Sequence, residues 1–322
     1  MVELEDITGA AERIRGFAIK TPVRESAWLS AAAHANVHLK LEVIQRTSSY
    51  KIRGAVNACL RIRDESAAGQ VPLVTASAGN HGAALAYAAS LWGFPLTVFV
   101  AAGAPRAKVD AIRATGAELR ECDGYDDAER QAKAHAAAGH GVYISPYSHP
   151  DVVAGAGTIG LELIEEMPYL DVVIVPVGGG GLISGIGIAV KALSPSTTVI
   201  GVEAAMSCPF TKSLEAGRLV TVDVGPSIAD GLTGNLDPET ITLDFVQRVV
   251  DQIVVVDEET LRRALAGVVS NEHLIVEGAA AAGPAAILAG QLDLEDKVVA
   301  VVLSGANIDS GVLTDVLRSA VS

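Results

Sequence analysis

The sequence predicts an α/β protein whose sheets are mostly parallel. Strand-like and helix-like segments alternate along most of the 322 residues. The strand-like segments are nearly continuous runs of valine and isoleucine, most clearly at 171–177 and 297–303. Such runs are typical of parallel strands that helices cover on both faces of the sheet.

The predicted elements follow one another as strand and helix. Strands are expected at 36–42, 71–75, 94–100, 118–122, 171–177, 198–203, 253–256 and 297–303. Helices are expected at 52–63, 82–92, 105–115, 125–138 and 182–193, from Asp257 onward and after Glu277. Apolar spacing indicates the first of these helices, alanine content the second, and Gly116 ends the third.

The chain is long enough for two domains. The strand–helix units of residues 65–146 predict a small domain, and residues 1–64 together with 147–322 predict a large one. A ligand is expected between them, where the carboxyl ends of the strands meet.

Composition excludes several classes of partner. The net charge of −14 argues against nucleic acid and against anionic membrane surfaces. Apolar runs are far shorter than the roughly 20 residues that cross a bilayer. The acidic start, Met-Val-Glu-Leu-Glu-Asp, lacks the features of a signal peptide, so a cytoplasmic protein is expected. The three cysteines, Cys59, Cys122 and Cys208, have no metal-binding spacing and are interpreted as buried or half-buried thiols.

Four consecutive glycines, Gly178, Gly179, Gly180 and Gly181, connect the strand at 171–177 to the helix at 182–193. Glycines let peptide N–H groups approach an anion without a Cβ in the way. A helix N-terminus adds partial positive charge and unpaired donors. The segment therefore predicts a phosphate site.

Three further segments carry polar groups at the ends of predicted elements. They are Ser-Ser-Tyr-Lys-Ile-Arg-Gly-Ala around Lys51, Ser-Ala-Gly-Asn-His-Gly around Asn80, and Ser-Gly-Ala-Asn from Ser304. Taken singly, each also fits a surface lysine, a helix cap or a turn. The glycine loop alone also loosely fits a dinucleotide fingerprint with Glu203 as the ribose partner, but that interpretation leaves Lys51, Asn80 and Ser304 unexplained.

Together the four segments resemble the fold-type II pyridoxal phosphate enzymes, specifically the threonine/serine dehydratase and serine racemase family. The resemblance runs nearly end to end and includes Lys-Thr-Pro-Val at 20–23 and Ile-Ala-Asp-Gly-Leu at 228–232. It implies the tryptophan synthase β-like fold, with two domains that each contain a twisted, mostly parallel sheet flanked by helices. The β-replacement branch is less similar, because its lysine is typically followed by Asp-Arg rather than by Ile52.

The resemblance also implies roles for individual residues. Lys51 corresponds to the catalytic lysine that holds the cofactor aldehyde as a Schiff base, and Tyr50 stands where phenylalanine is more usual. Asn80 corresponds to the partner of the ring's phenolic oxygen, the four glycines to the phosphate loop, and Ser304 to the partner of the pyridine nitrogen. The implied substrate-binding residues are Ser77, Ala78, Gly79, Asn80 and His81.

The implied activity is β-elimination, which converts L-threonine and/or L-serine to a 2-oxo acid and ammonia. The alternative is a dehydratase or racemase for another small β-hydroxy amino acid: 3-hydroxyaspartate, phenylserine or a hydroxyectoine-derived acid. Serine racemases carry a second serine where this chain has Ala78, and alanine cannot transfer a proton, so the dehydratase is favoured. A nicotinamide oxidoreductase and a non-catalytic relative remain as further alternatives, although the presence of Lys51 argues against the second.

The resemblance implies a homodimer or homotetramer. The racemase branch also binds a divalent cation near the position of Glu203, but Pro209 stands where its aspartate would be, so no metal site is predicted. His273 and Glu277 lie near family positions that approach the site, and His273 is interpreted as a structural histidine.

Overall fold

The computed structural model describes residues 1–65, 70–104 and 106–320. Its strands are β1 (Val23–Glu25), β2 (Asn36–Leu41), β3 (Leu73–Ala76), β4 (Leu96–Ala101), β5 (Glu118–Cys122), β6 (Val142–Tyr143), β7 (Val172–Pro176), β8 (Thr198–Ala204), β9 (Gln252–Val256) and β10 (Val298–Leu303). Its α-helices are α1 (Leu4–Arg13), α2 (Ala27–Ala33), α3 (Lys51–Glu65), α4 (Asn80–Trp92), α5 (Arg106–Arg113), α6 (Tyr125–His135), α7 (Pro150–Glu166), α8 (Gly181–Leu193), α9 (Pro209–Ala216), α10 (Thr242–Val249), α11 (Glu258–Gly267), α12 (Ala282–Leu288) and α13 (Ser310–Ser319).

The strands of the described residues form two sheets. The larger has six strands in the order β1-β2-β10-β7-β8-β9, and the smaller has four in the order β5-β4-β3-β6. All pairings are parallel except that of β1 with β2, where Val23 faces Lys40 in antiparallel register. The prediction of an α/β fold with mostly parallel sheets is confirmed, and the exception is a short strand at one edge.

The larger sheet is buried on both faces, as its apolar runs indicate. Ile174 and Val301 contribute to a core beneath α11 and α12, whereas Val173 and Val175 contribute to a core beneath α7 and α8. Successive side chains of a strand point to opposite faces, so one valine-rich run serves both cores.

Helix α7 was absent from the predicted elements although it has 17 residues. Its glycines lower helix propensity, and this weakened the sequence signal. In the structure they permit close packing on both sides of the helix. A Cβ at Gly155 would lie 2.6 Å from the carbonyl oxygen of Arg53 on α3, and a Cβ at Gly157 would lie 2.8 Å from that of Gly185 on α8. Tertiary packing therefore outweighs local propensity here.

The smaller sheet takes its strands from residues 73–143, inside the predicted small domain of residues 65–146. The boundaries of that domain stay a prediction. The predicted helix at 105–115 is observed as Arg106–Arg113, and Pro105 lies outside the described residues. No helix of the described residues is long and apolar enough to cross a membrane.

Candidate active site

A cavity of about 640 Å³ opens where strands of both sheets end. Its walls include Ala76 at the end of β3, Pro176 at the end of β7 and Ser304 directly after β10. The carboxyl ends of parallel strands commonly form ligand sites. The site residues suggested by the sequence all line it: Tyr50, Lys51, Ser77, Ala78, Gly79, Asn80, His81, Gly178, Gly179, Gly180, Gly181 and Ser304.

Lys51 is the first residue of α3, and the loop before it is tied to the end of β10. The backbone N–H of Tyr50 donates to the backbone carbonyl of Ser304 at 3.0 Å, and the backbone N–H of Ala306 donates to the backbone carbonyl of Ser48 at 2.8 Å. The Lys51 amine donates to the Pro146 carbonyl at 2.7 Å and lies 5.1 Å from the centre of the Tyr50 ring. Among the described residues no carboxylate pairs with it, so the nitrogen faces the cavity with only a neutral partner.

The glycine loop is packed so tightly that side chains would not fit. A Cβ at Gly179 would lie 2.2 Å from the Tyr147 ring, and one at Gly180 would lie 2.4 Å from the Phe210 ring. Gly180 also has φ +82°, a conformation that side chains rarely adopt. In the described part of the chain, the backbone N–H groups of residues 178–181 have no protein acceptor. Since they precede and open α8, they form a row of free donors at a helix N-terminus.

A second helix N-terminus lines the same cavity. Helix α4 begins at Asn80, two residues earlier than predicted, with Gly79 as its N-cap. The Ser77 hydroxyl accepts from the N–H of Gly79 at 3.2 Å, which fixes the turn. Within the described residues, the backbone N–H groups of Asn80 and His81 have no acceptor. The loop therefore offers an anion site of its own.

The His81 ring is turned away from the cavity into the protein. It is 2% exposed, and its Nε2 lies 3.2 Å from the Ile144 carbonyl oxygen. Burial, with a further contribution from the Lys51 charge, lowers the pKa of His81 to about 3. The imidazole is therefore neutral, and only the backbone of His81 is available to a substrate.

Asn80 also belongs to a polar cluster that sequence reasoning found only in part. Its Nδ2 donates to both carboxylate oxygens of Glu277, at 2.8 and 2.9 Å. Its Oδ1 accepts from Asn307 Nδ2 at 2.7 Å. A Cβ at Gly305 would lie 2.7 Å from a Glu277 oxygen, so only glycine allows this approach. The Ser304 hydroxyl makes no hydrogen bond within the described residues and lines the cavity.

Two other residues considered from the sequence lie elsewhere. His273 is exposed and does not line the cavity. The Glu203 carboxylate accepts from the N–H groups of Phe210 and Thr211, at 2.9 and 2.8 Å, and from the Thr211 hydroxyl at 2.6 Å. It therefore stabilises the N-terminus of α9. Among the described residues, no group of three His, Cys, Asp or Glu side chains is placed to hold a metal ion.

The cavity fits pyridoxal phosphate. Free N–H donors at the start of α8 suit a phosphate group, and a lysine amine without a carboxylate partner suits an aldehyde. The Asn80 amide and the Ser304 hydroxyl suit the polar atoms of a pyridine ring. The apolar part of such a ring finds partners in Tyr50 and in Ala279, which also line the cavity.

Comparison with known proteins agrees with this fit. The profile of a family described as "Pyridoxal-phosphate dependent enzyme" matches residues 14–305. The chain is 37% identical to an L-threonine ammonia-lyase of Thermotoga maritima, over 99% of this chain and 79% of that protein. It is 36% identical to an L-threo-3-hydroxyaspartate ammonia-lyase of Saccharomyces cerevisiae, over 94% of this chain and 93% of that protein.

Among solved structures, maize serine racemase superposes with a TM-score of 0.90 at 31% identity, covering 99% of this chain and 98% of the racemase. The fold and the motifs thus agree over nearly the whole length, and the dinucleotide interpretation of the glycine loop is wrong. The chain belongs to the pyridoxal-phosphate dependent enzymes of fold type II.

Proposed function

We propose that this chain is an ammonia-lyase that converts L-threonine and/or L-serine to a 2-oxo acid and ammonia. The observation that carries the proposal is the pair of helix N-termini that line one cavity with Lys51. The start of α8 offers free N–H donors for the cofactor phosphate, and the start of α4 offers a second set for the substrate carboxylate. The substrate would then be held by its carboxylate on the Ser77–Gly79–Asn80 side of the site.

Lys51 is the proposed catalytic base. When bound, the cofactor withdraws electrons from the substrate's α-carbon and so makes its proton acidic. The Lys51 amine has no carboxylate partner to hold it back, and it takes that proton as the β-hydroxyl departs. The hydroxyl leaves as water, because the proton taken from the α-carbon balances the departing hydroxide. The resulting enamine then takes up one water and gives ammonia and the 2-oxo acid.

Ser304 is proposed to set how strongly the bound cofactor withdraws electrons from the substrate. A neutral hydroxyl beside the pyridine nitrogen donates a hydrogen bond but does not hold a ring proton as a carboxylate would. Electron withdrawal is then moderate, and this favours a substrate whose β-substituent leaves promptly. Threonine and serine meet this requirement through their β-hydroxyl groups.

A second candidate substrate is a β-hydroxy amino acid with an additional carboxylate, such as threo-3-hydroxyaspartate. Lys108 supports it, because this lysine lines the cavity and its only ion pair among the described residues is with Asp230, at 3.3 Å. A substrate carboxylate there would meet a positive charge. The yeast relative that is named for this substrate supports the same candidate.

A substrate panel tests the proposal. The purified chain, reconstituted with pyridoxal phosphate, is mixed with L-threonine, L-serine, threo-3-hydroxyaspartate and phenylserine, and the released 2-oxo acid is measured. We expect the highest kcat/KM with threonine or serine. Turnover of hydroxyaspartate alone would select the second candidate, and Lys108→Met would then lower that turnover selectively. An intact cofactor spectrum without turnover of any member would reject the lyase.

We also propose that the chain forms a homodimer or homotetramer, as the family resemblance implies. Light scattering of the reconstituted protein measures the mass directly. A mass of one 33.1 kDa chain at micromolar concentration would reject this assignment.

A further inference from the structure

Glu277 is a buried carboxylate that borders two cavities. It is 6% exposed, and it lines both the site cavity and a second cavity of about 720 Å³. The second cavity is more open, and polar residues of α11 and α13 line it, among them Glu258 and Asp315. Glu277 therefore borders the more open second cavity as well as the active site.

The hydrogen bonds around Asn80 hold its amide in one orientation. Its Nδ2 faces both oxygens of Glu277, and its Oδ1 faces Asn307 Nδ2. Asn307 Nδ2 also donates to the Thr47 carbonyl at 2.9 Å, so the orientation of Asn307 is itself fixed. A flipped Asn80 amide would bring an oxygen against a carboxylate and an N–H group against another donor. Both contacts are repulsive, so the flip is disfavoured.

This orientation presents a donor to the cavity. An amide nitrogen carries two hydrogens, so Nδ2 can donate to Glu277 and to one further acceptor. The inference rests on the proposed function in one respect, because that acceptor is the phenolic oxygen of the cofactor. Without Glu277, the amide oxygen could turn toward the same position and repel it.

Glu277 is held by a neutral partner, not by a cation. Burial raises the pKa of Glu277 to about 7, and the hydrogen bond from Asn80 opposes the rise. The charged groups that face the carboxylate are Asp230, which raises its pKa, and Lys108 and Lys51, which lower it. At neutral pH the carboxyl is therefore poised between its charged and neutral forms.

We propose that Glu277 is a positioning residue that directs Asn80 Nδ2 toward the cofactor's phenolic oxygen and takes up one solvent proton when that oxygen arrives. A second anionic oxygen on the same amide disfavours the carboxylate. One O–H bond forms on Glu277, and no other bond changes there. The carbonyl oxygen of the neutral acid still accepts from Asn80, so the orientation persists while the charge is removed. The second cavity gives the proton a route to the carboxyl.

Cofactor binding without substrate tests this inference. The apo-protein is titrated with pyridoxal phosphate at pH 8 by calorimetry in buffers that differ in ionisation enthalpy, which gives the dissociation constant and the number of protons taken up. Glu277→Gln keeps a carbonyl acceptor but cannot titrate, whereas Glu277→Leu removes the acceptor. Glu272→Gln is the matched control, because Glu272 is also buried but bonds to Arg24 and Ser26, away from the cavity.

We expect wild type and Glu272→Gln to take up about one proton more than Glu277→Gln. Glu277→Gln should bind the cofactor within about threefold of wild type, whereas Glu277→Leu should bind about tenfold more weakly. Thermal melting of each apo-protein checks that the variants are folded, and Glu277→Gln alone still tests the proton count if the leucine variant is not.

Equal proton uptake by wild type and Glu277→Gln, or wild-type affinity in a folded Glu277→Leu, would overturn the inference while leaving the proposed function intact. Failure of the wild-type chain to bind the cofactor would overturn both. The two failures are therefore distinguishable in one set of titrations.

Discussion

Two clusters of buried charge lie beside the first turns of α3, and they are built in opposite ways. One, the α3 charge network, consists of Lys40, Glu42, Arg53 and Glu162. Arg53 donates to Glu42 at 2.8 Å and to Glu162 at 2.6 and 2.9 Å, and Lys40 lies 2.8 Å from Glu162. Two positive and two negative groups thus neutralise each other in a region where Arg53 is 1% exposed.

The other, the site cluster, consists of Lys51, Asn80, Glu277 and Ser304. Here the Lys51 amine donates to a peptide carbonyl, and the Glu277 carboxylate accepts from a neutral amide. Each charged group has a polar partner, but none has a partner of opposite charge bonded to it among the described residues. The difference teaches how one helix supports both rigidity and chemistry. On α3, Arg53 is tied to two carboxylates, whereas the Lys51 amine, two positions earlier, donates only to a peptide carbonyl.

Removing Lys51 should have the largest effect. Lys51→Ala is expected to lower ammonia release by about a thousandfold or more, because the proposed base and the proposed attachment point of the cofactor are lost together. Borohydride should fix the cofactor to wild type and not to the variant. Lys20→Ala, which removes an exposed ion pair with Glu165, is the control and should retain both properties. Ammonia release near the wild-type rate in Lys51→Ala would refute the mechanism.

Breaking the α3 charge network should affect stability instead. Arg53→Met leaves the buried Glu42 carboxylate without its main partner, and we expect the free energy of unfolding to fall by about 3–5 kcal/mol. Denaturant unfolding measures this loss. Arg63→Met, which removes an exposed pair with Asp64, should cost at most about 1 kcal/mol. Similar losses of unfolding free energy in the two variants would mean that the buried ion pairs of Arg53 contribute no more than an exposed pair.

The site cluster should show the opposite response at Glu277, where removal of the charge stabilises the apo-protein. The pKa of Glu277 is raised to about 7 in the folded chain, above the usual value of 4.5. The folded state therefore loses stability as pH rises from about 4.5 to 7, and the loss is complete above that range. Between pH 5 and pH 8, the unfolding free energy of Glu277→Gln should rise by about 2–3 kcal/mol relative to that of wild type. If the difference in unfolding free energy between Glu277→Gln and wild type did not change with pH, burial would not raise the pKa of Glu277.

The sequence predicted the members of these clusters that belong to local motifs, but not the contacts between residues far apart in the chain. Lys51, Asn80 and Ser304 each stand at the end of a local strand or the start of a local helix, so a short motif was enough to suggest them. The contacts of Asn80 with Glu277 and Asn307 join residues 197 and 227 positions apart, and no local pattern encodes such a contact.

Other features were hidden for the same reason. The resemblance placed Glu277 near family positions that approach the site, but the run of glycine and alanine after it indicated only a helix and not the contact with Asn80. Helix α7 was missed because its glycines are explained by contacts with α3 and α8, which the sequence does not display. The arginine of the lysine motif, Arg53, was part of the resemblance, but its bonds to Glu42 and Glu162 come from separate elements.

The smallest expected effect comes from adding a group to the site cluster. Ala78 lines the cavity beside Gly79, in a loop whose free donors are backbone N–H groups. Ala78→Ser adds a hydroxyl to the cavity wall that can exchange a proton with the substrate, and we expect D-serine formation from L-serine to rise about 3–10-fold.

Chiral chromatography measures the product of Ala78→Ser. The control is Ala83→Ser, which lies in the following helix, α4, and outside the cavity lining. The unfolding free energy should change by less than about 0.5 kcal/mol in either variant. D-serine formation that stays at the wild-type level would mean that the position of the hydroxyl is not the limiting factor. The site would then lack a further group that racemisation needs, and it would support elimination alone.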